Sequence, residues 1–74
     1  MAYEDATLEV KIAGAEQMMR EEGHGYTVAE LIDTRRSHAL EQLRDGEEWI
    51  TLKIPSYYEV EFHRDVVRHF LDKR

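Results

Sequence analysis

Hydrophobic and polar residues alternate along three short segments of the chain, 7–12, 49–54 and 58–63. A period of two places apolar side chains on one face of an extended strand and polar side chains on the other. We therefore predict three strands, each with one buried face. Gly14 is expected to end the first strand, and the following stretch, 15–22, has a helix-forming composition but is short.

The second and third predicted strands are close enough in sequence to form a hairpin. Pro55 and Ser56 lie between them and are typical turn residues. The four residues 56–59 also match a helix capping box, so a helix starting at Ser56 is an alternative. The aromatic and β-branched content of segment 58–63 favours a strand.

Two further segments have the spacing of amphipathic helices. Thr27 and Glu30 match a capping box, and apolar residues then recur at helical spacing through 27–44. A polar insert at 33–38 divides this stretch, so one bent helix and two short helices both fit. Gly46 is placed to end the stretch in a left-handed conformation. Near the C-terminal end, apolar residues at positions 66, 67, 70 and 71 share one helix face.

These elements predict a single small α+β domain over residues 1–74. Three strands with one apolar face each require a cover, and two amphipathic helices supply it in a two-layer arrangement with a three-stranded antiparallel sheet. The alternative is a small Sm- or SH3-like β-barrel with one helix. Segments 49–53 and 60–67 resemble the closing strands of Sm-like barrels, which implies that the last segment is a strand rather than a helix.

Composition limits the classes of function. The 74 residues include 16 acidic and 10 basic ones, for a formal charge of −6, and no cysteine. A negative net field repels phosphate backbones and anionic membranes. The absence of cysteine removes disulfides and thiolate chemistry. No apolar run approaches the roughly 20 residues that span a bilayer. We expect a cytoplasmic protein that does not bind membranes.

No catalytic or metal-binding pattern stands out in the sequence. The four histidines, at 24, 38, 63 and 69, include no pair at the i, i+3 or i, i+4 spacing of a helical zinc site. The acidic pairs fall on predicted exposed faces or loops, where no water-excluding cleft is expected. We therefore expect no enzyme activity, no metal and no cofactor.

The aromatic residues are more informative than the titratable ones. Trp49 shares the polar face of its strand, and Tyr57 is expected on the matching face of the next strand, beside Glu59 and Glu61. Large aromatics on a polar face are typical of binding surfaces. The competing interpretation is that Trp49 packs beneath the segment 13–26.

Two basic pairs complete the candidate residues. Arg35 and Arg36 join the expected interaction surface, and Arg64 and Arg68 lie one turn apart near the C-terminal end. We expect these arginines to be bridged to neighbouring carboxylates. Their alternative role is to bind nucleic acid, which the acidic residues around the aromatics disfavour.

The expected function is therefore that of a small acidic protein-interaction module, such as a regulator, inhibitor or adaptor. A chain of this size buries only about 60% of its unfolded surface, so a homodimer or a permanent protein partner would add stability. The alternative function is a small nucleic-acid-binding domain.

Overall fold

The fold is taken from a computed structural model, which describes residues 6–73. Within this range the chain forms four helices and one antiparallel sheet of two strands. In chain order, the elements are α1 (Leu8–Glu21), α2 (Val28–Thr34), α3 (Arg36–Arg44), β1 (Trp49–Lys53), β2 (Glu59–His63) and α4 (Arg64–Asp72). The α+β class is confirmed, but the sheet has one strand fewer than predicted and the helices number four instead of two.

The predicted first strand, 7–12, is instead the start of helix α1. The Thr7 hydroxyl accepts a hydrogen bond from the Val10 amide at 3.3 Å and caps the helix. Gly14, expected to end a strand, lies inside this helix. The prediction of a strand here was wrong.

The burial pattern of α1 explains why a helix forms there. Its buried side chains are Lys11, Ala15 and Met19, spaced four residues apart on one helix face. A strict alternation of three apolar residues favours a strand, but the residues buried here recur at every fourth position instead. Here the helical spacing continues for another two turns.

The predicted helical region 27–44 forms two short helices rather than one. At the start of α2, the Thr27 hydroxyl and the Glu30 carboxylate each accept a backbone amide at 3.1 Å, which confirms the capping box. Arg35 interrupts the helical path with φ −108° and ψ 31°. Gly46 has a φ of 79° and ends α3, as the sequence predicts.

Strands β1 and β2 form the predicted hairpin, with Leu52 opposite Val60. The Tyr57 amide donates to the Ile54 carbonyl at 2.9 Å, which closes the turn around Pro55 and Ser56. Ser56 has a φ of 68°, a left-handed conformation that costs a non-glycine residue about 1 kcal/mol. The alternative of a helix starting at Ser56 is wrong, since β2 occupies that segment.

Helix α4 lies at the centre of the packing, because it contacts both strands and each of the other three helices. The resemblance to Sm-like barrels fails here, since 64–72 is helical and the sheet has two strands. The hydrophobic core comprises buried side chains from every element: Ala15, Met19, Val28, Leu31, Ile32, Ala39, Ile50, Leu52, Ile54, Val60, Phe62, Val66, Val67 and Leu71.

Candidate interaction surface on the hairpin

The outer face of the hairpin carries the side chains that alternate with the core residues. We define it as Trp49, Thr51 and Lys53 on β1 with Glu59 and Glu61 on β2. Thr51 lies opposite Glu61 and Lys53 opposite Glu59. All five are exposed except Thr51, which is half-buried. The alternation in the sequence thus places these residues on the face directed away from the core.

Trp49 is 39% exposed. Its ring meets the His63 ring edge-on, with centroids 5.3 Å apart. It also lines an open groove of about 240 Å³, which we call the edge groove, with Gly14, Ala15, Met18, Glu61 and Phe62. Trp49 and Met18 thus line the same groove, and 39% of the tryptophan surface stays accessible.

The tip of the hairpin carries two more exposed aromatic rings. Tyr57 lies in the turn before β2 rather than on the strand, contrary to expectation, and is 49% exposed. Tyr58 is 45% exposed, and its hydroxyl donates to the Glu22 carboxylate at the end of α1. That hydrogen bond, with slight desolvation and the charge of Glu22, raises the pKa of Tyr58 to about 12.

The loop between α1 and α2 packs against this tip through His24. The His24 ring lies 5.8 Å from the Tyr57 ring and 6.0 Å from the Tyr26 ring, measured between centroids. Its Nδ1 accepts the Tyr26 amide at 3.0 Å. Its buried Nε2 has no hydrogen-bond partner among residues 6–73. These rings hold the tip of the hairpin against the 23–27 loop.

Of the two predicted arginines, Arg35 lies beside β1, away from the edge groove. Arg35 donates through Nε to the Lys53 carbonyl at 2.9 Å and lines a second groove, of about 260 Å³, with His38 and Glu59. Arg36 is exposed at the start of α3. Between residues 6–73, the ion pairs that form have Lys11 and His63 as cations, and none of the expected bridges from arginines to carboxylates is among them.

His63 is buried although the alternation of β2 places it with the polar residues. Its Nδ1 accepts the Asp65 amide at 3.1 Å and so caps α4. Its Nε2 lies 3.6 Å from Glu48, and Lys11 contacts the Asp65 carboxylate at 3.3 Å. Both ring nitrogens are thus occupied by contacts that fix the start of α4. The sequence signal for this role was its position immediately before the helix.

The four arginines of the nucleic-acid alternative do not converge on one surface. Arg35 lines the groove beside β1, while Arg68 lines a different groove between the start of α1 and α4. Arg36 and Arg64 lie at the starts of α3 and α4. A continuous basic stripe, which phosphate tracking requires, is therefore not formed by these residues.

Comparison with known proteins adds no relative: no protein-family model matches the chain, and no curated protein or solved structure is significantly similar to it. In the described range, 6–73, no helix has the length and apolar character needed to cross a membrane. The same range holds no group of three or more histidine, aspartate or glutamate side chains arranged to hold a metal ion.

Proposed function

We propose that this chain is a small, acidic, non-enzymatic protein-interaction module that binds a protein partner, or a second copy of itself, through the outer face of the hairpin. The observation that carries the proposal is the position of Trp49, which stays 39% exposed on a strand face shared with Glu59 and Glu61. A rigid, partly exposed indole gives a large contact area at low entropic cost, which is why tryptophan is enriched among the residues that dominate binding energy.

The surroundings of Trp49 favour a protein over a small molecule as the ligand. The grooves on either side of the outer face measure about 240 and 260 Å³ and are open to solvent. Pockets that enclose a small ligand usually measure about 300–1,000 Å³. A shallow face with an exposed indole and charged neighbours suits contact with another protein surface.

The chemistry of the titratable groups supports a role without catalysis. His63 is the buried histidine next to this face, and both of its ring nitrogens face structural partners, the Asp65 amide and the Glu48 carboxylate. A general base needs a free nitrogen within reach of substrate. His63 therefore serves to position α4 and Trp49 in this proposal.

Site-specific photo-crosslinking in the cell of origin tests the proposal. A photoreactive amino acid replaces Lys53, which is exposed on the outer face, or Ala29, which is exposed on α2 beside the groove between α2 and α4. We expect one or a few defined protein adducts from position 53, including a crosslinked dimer if the chain binds itself, and none from position 29.

The variant Trp49→Ala provides the matched measurement of binding against folding. It should reduce the adducts from position 53 at least about tenfold, while the urea midpoint moves much less than for a core truncation. Equal labelling from both positions, or labelling unaffected by Trp49→Ala, would refute the proposal. Adducts that contain nucleic acid and disappear steeply with salt would support the arginine-based alternative instead.

A further inference from the structure

The two edges of the hairpin differ in how their backbone groups are satisfied. The Ile54 amide bonds the Tyr58 carbonyl at 3.0 Å, and the Arg64 amide bonds the Glu48 carbonyl at 2.8 Å. In this antiparallel register the even-numbered residues of each strand face the other strand, so the odd-numbered residues direct their N–H and C=O groups to the outer edges.

The outer edge of β1 is closed by side chains from the α2–α3 region. Gln42 accepts the Thr51 amide and donates to the Thr51 carbonyl, both at 2.8 Å. Arg35 donates to the Lys53 carbonyl at 2.9 Å. A side-chain amide that satisfies both groups of one residue takes the place of a neighbouring strand, so β1 is not available for pairing.

Within residues 6–73, the outer edge of β2 is open. Glu59 and Glu61 direct their backbone N–H and C=O groups away from β1, and no residue in the described range hydrogen-bonds to them. An unpaired strand edge is a template for an added strand, and proteins usually protect such edges. Here two amides and two carbonyls are available.

An open groove adjoins the part of this edge formed by Glu61 and Phe62. The edge groove separates β2 from α1, and Gly14 leaves the helix surface bare at that point. A β-carbon placed on Gly14 would meet no atom within 4 Å. Met18, Trp49 and Phe62 supply apolar contacts along the groove.

The charges at the edge indicate what kind of strand fits. No cation of residues 6–73 lies within 4 Å of the Glu59 or Glu61 carboxylate. Lys53, which lies opposite Glu59, instead donates through Nζ to the Tyr57 carbonyl. An added strand places its own side chains directly beside these two carboxylates at every second position, and opposite charges there are stabilising.

The same carboxylates disfavour a second copy of this chain at the β2 edge. Antiparallel pairing of two β2 strands about Val60 would set Glu59 of each copy opposite Glu61 of the other. Like charges directly opposite one another destabilise a strand pair. The occupant of this edge is therefore a different chain.

We propose that the open edge of β2 binds an extended segment of a partner protein by strand addition, and that this segment carries lysine or arginine at alternate positions, opposite Glu59 and Glu61. The inference rests on the proposed function and specifies the partner by its chemistry. Main-chain hydrogen bonds supply affinity, and the alternating charges supply the register, as in other cases of strand addition.

Synthetic peptides test the pairing directly. The probe is a blocked heptapeptide of valine and threonine with lysine at positions 2, 4 and 6. One control has the same composition with the three lysines adjacent. Two further control peptides carry N-methyl groups, one on the amides that face β2 and the other on the amides that face away from β2.

Trp49 is the only tryptophan of the chain and lines the edge groove, so its fluorescence reports binding at this site. We expect the alternating peptide to change Trp49 emission and to slow amide exchange at Glu59 and Glu61. It should bind about tenfold more tightly than the peptide with adjacent lysines. Methylation of the amides facing β2 should abolish binding, whereas methylation of the other amides should leave it unchanged.

Charge variants of the protein provide a second test of the proposed pairing. The double variant Glu59→Gln/Glu61→Gln should weaken binding by roughly tenfold, an effect that decreases with added salt. The double variant Glu16→Gln/Glu41→Gln removes the same charge from exposed positions on α1 and α3 and should leave binding nearly unchanged.

Three results overturn the inference: no binding of the alternating peptide at millimolar concentration, equal binding of both lysine arrangements, or equal effects of the two methylation patterns. If the peptides fail while crosslinking from Lys53 still captures a partner, strand addition is wrong and the proposed function stands. If both fail, the proposed function is wrong as well.

Discussion

Replacing Gln42 with alanine removes both hydrogen-bond partners of the Thr51 backbone. The side-chain amide of Gln42 accepts from the Thr51 N–H and donates to the Thr51 C=O, with both distances 2.8 Å. A typical intramolecular hydrogen bond contributes about 0.5–1.5 kcal/mol net. Because Thr51 is half-buried, water replaces the lost partners only in part. We expect Gln42→Ala to lower the free energy of unfolding by about 1–3 kcal/mol.

This loss is measurable by urea denaturation. For a small domain the free energy of unfolding falls by about 1 kcal/mol per molar urea, so the midpoint should move down by roughly 1–3 M. The matched control is Gln17→Ala, which removes an exposed glutamine from α1. Both changes introduce the same helix preference, so their difference reports the contacts that Gln42 makes, with the Thr51 backbone and with the His38 carbonyl at 3.2 Å.

A second variant separates the two hydrogen bonds. Gln42→Glu keeps an oxygen that can accept the Thr51 amide, but the ionised carboxylate cannot donate to the Thr51 carbonyl. Folding therefore favours the protonated acid, which raises its pKa in the folded state. The deficit relative to the original chain should be largest near pH 7 and should shrink as the pH falls below the carboxyl pKa.

Amide hydrogen exchange completes this prediction. Thr51 should exchange slowly in the original chain and much faster in Gln42→Ala. If Gln42→Ala destabilises the chain no more than Gln17→Ala does, or leaves Thr51 equally protected, the conclusion that α3 closes the β1 edge is wrong.

Three other changes test packing, titration and turn geometry. Leu52→Ala should lower the free energy of unfolding by about 2–5 kcal/mol in a denaturant melt, because Leu52 is 1% exposed. Phe70→Ala should lower it less, because the Phe70 side chain is half-buried, and the reverse order would contradict the core assignment. Glu22→Gln should lower the Tyr58 pKa from about 12 towards 10, which an NMR titration of the tyrosine ring carbon would measure. Because the pKa is raised in the folded state, the stability from this contact is present below pH 10 and is lost as the pH rises towards 12. Ser56→Gly should raise the free energy of unfolding by up to about 1 kcal/mol in urea melts, because glycine adopts the φ of 68° without strain, and a loss of stability would refute that reasoning.

The parts of the fold that follow from local sequence signals were predictable. The capping box at Thr27, the left-handed stop at Gly46 and the change of period at Arg64 each act over a few residues, and each is found where the sequence places it. The hairpin 49–63 was predictable for the same reason: its turn and its alternation are local properties.

The first helix was not predictable from the alternation alone. Leu8 and Val10 are 40% and 59% exposed, so the alternation that suggested a buried strand face carries little burial energy. The side chains that decide the structure are farther along, at Ala15 and Met19, and they pack on elements distant in sequence. The prediction of three strands instead of two resulted from this one segment, 7–12.

The candidate surface was predictable in part. The alternation of β1 and β2 places Trp49, Glu59 and Glu61 on the outer face as expected. The contact of Gln42 with Thr51 was not foreseen, because it depends on how α3 lies against β1. The edge groove was missed because Gly14 was assigned to the end of a strand rather than to a helix facing β2.

The most direct test of the account is amide hydrogen exchange of the chain alone and in complex with the protein captured through Lys53. Protection gained at Glu59 and Glu61, with α2 and α4 unchanged, is the result we predict. Protection gained along α2 and α4, with the hairpin amides exchanging as fast as in the free chain, would contradict the account.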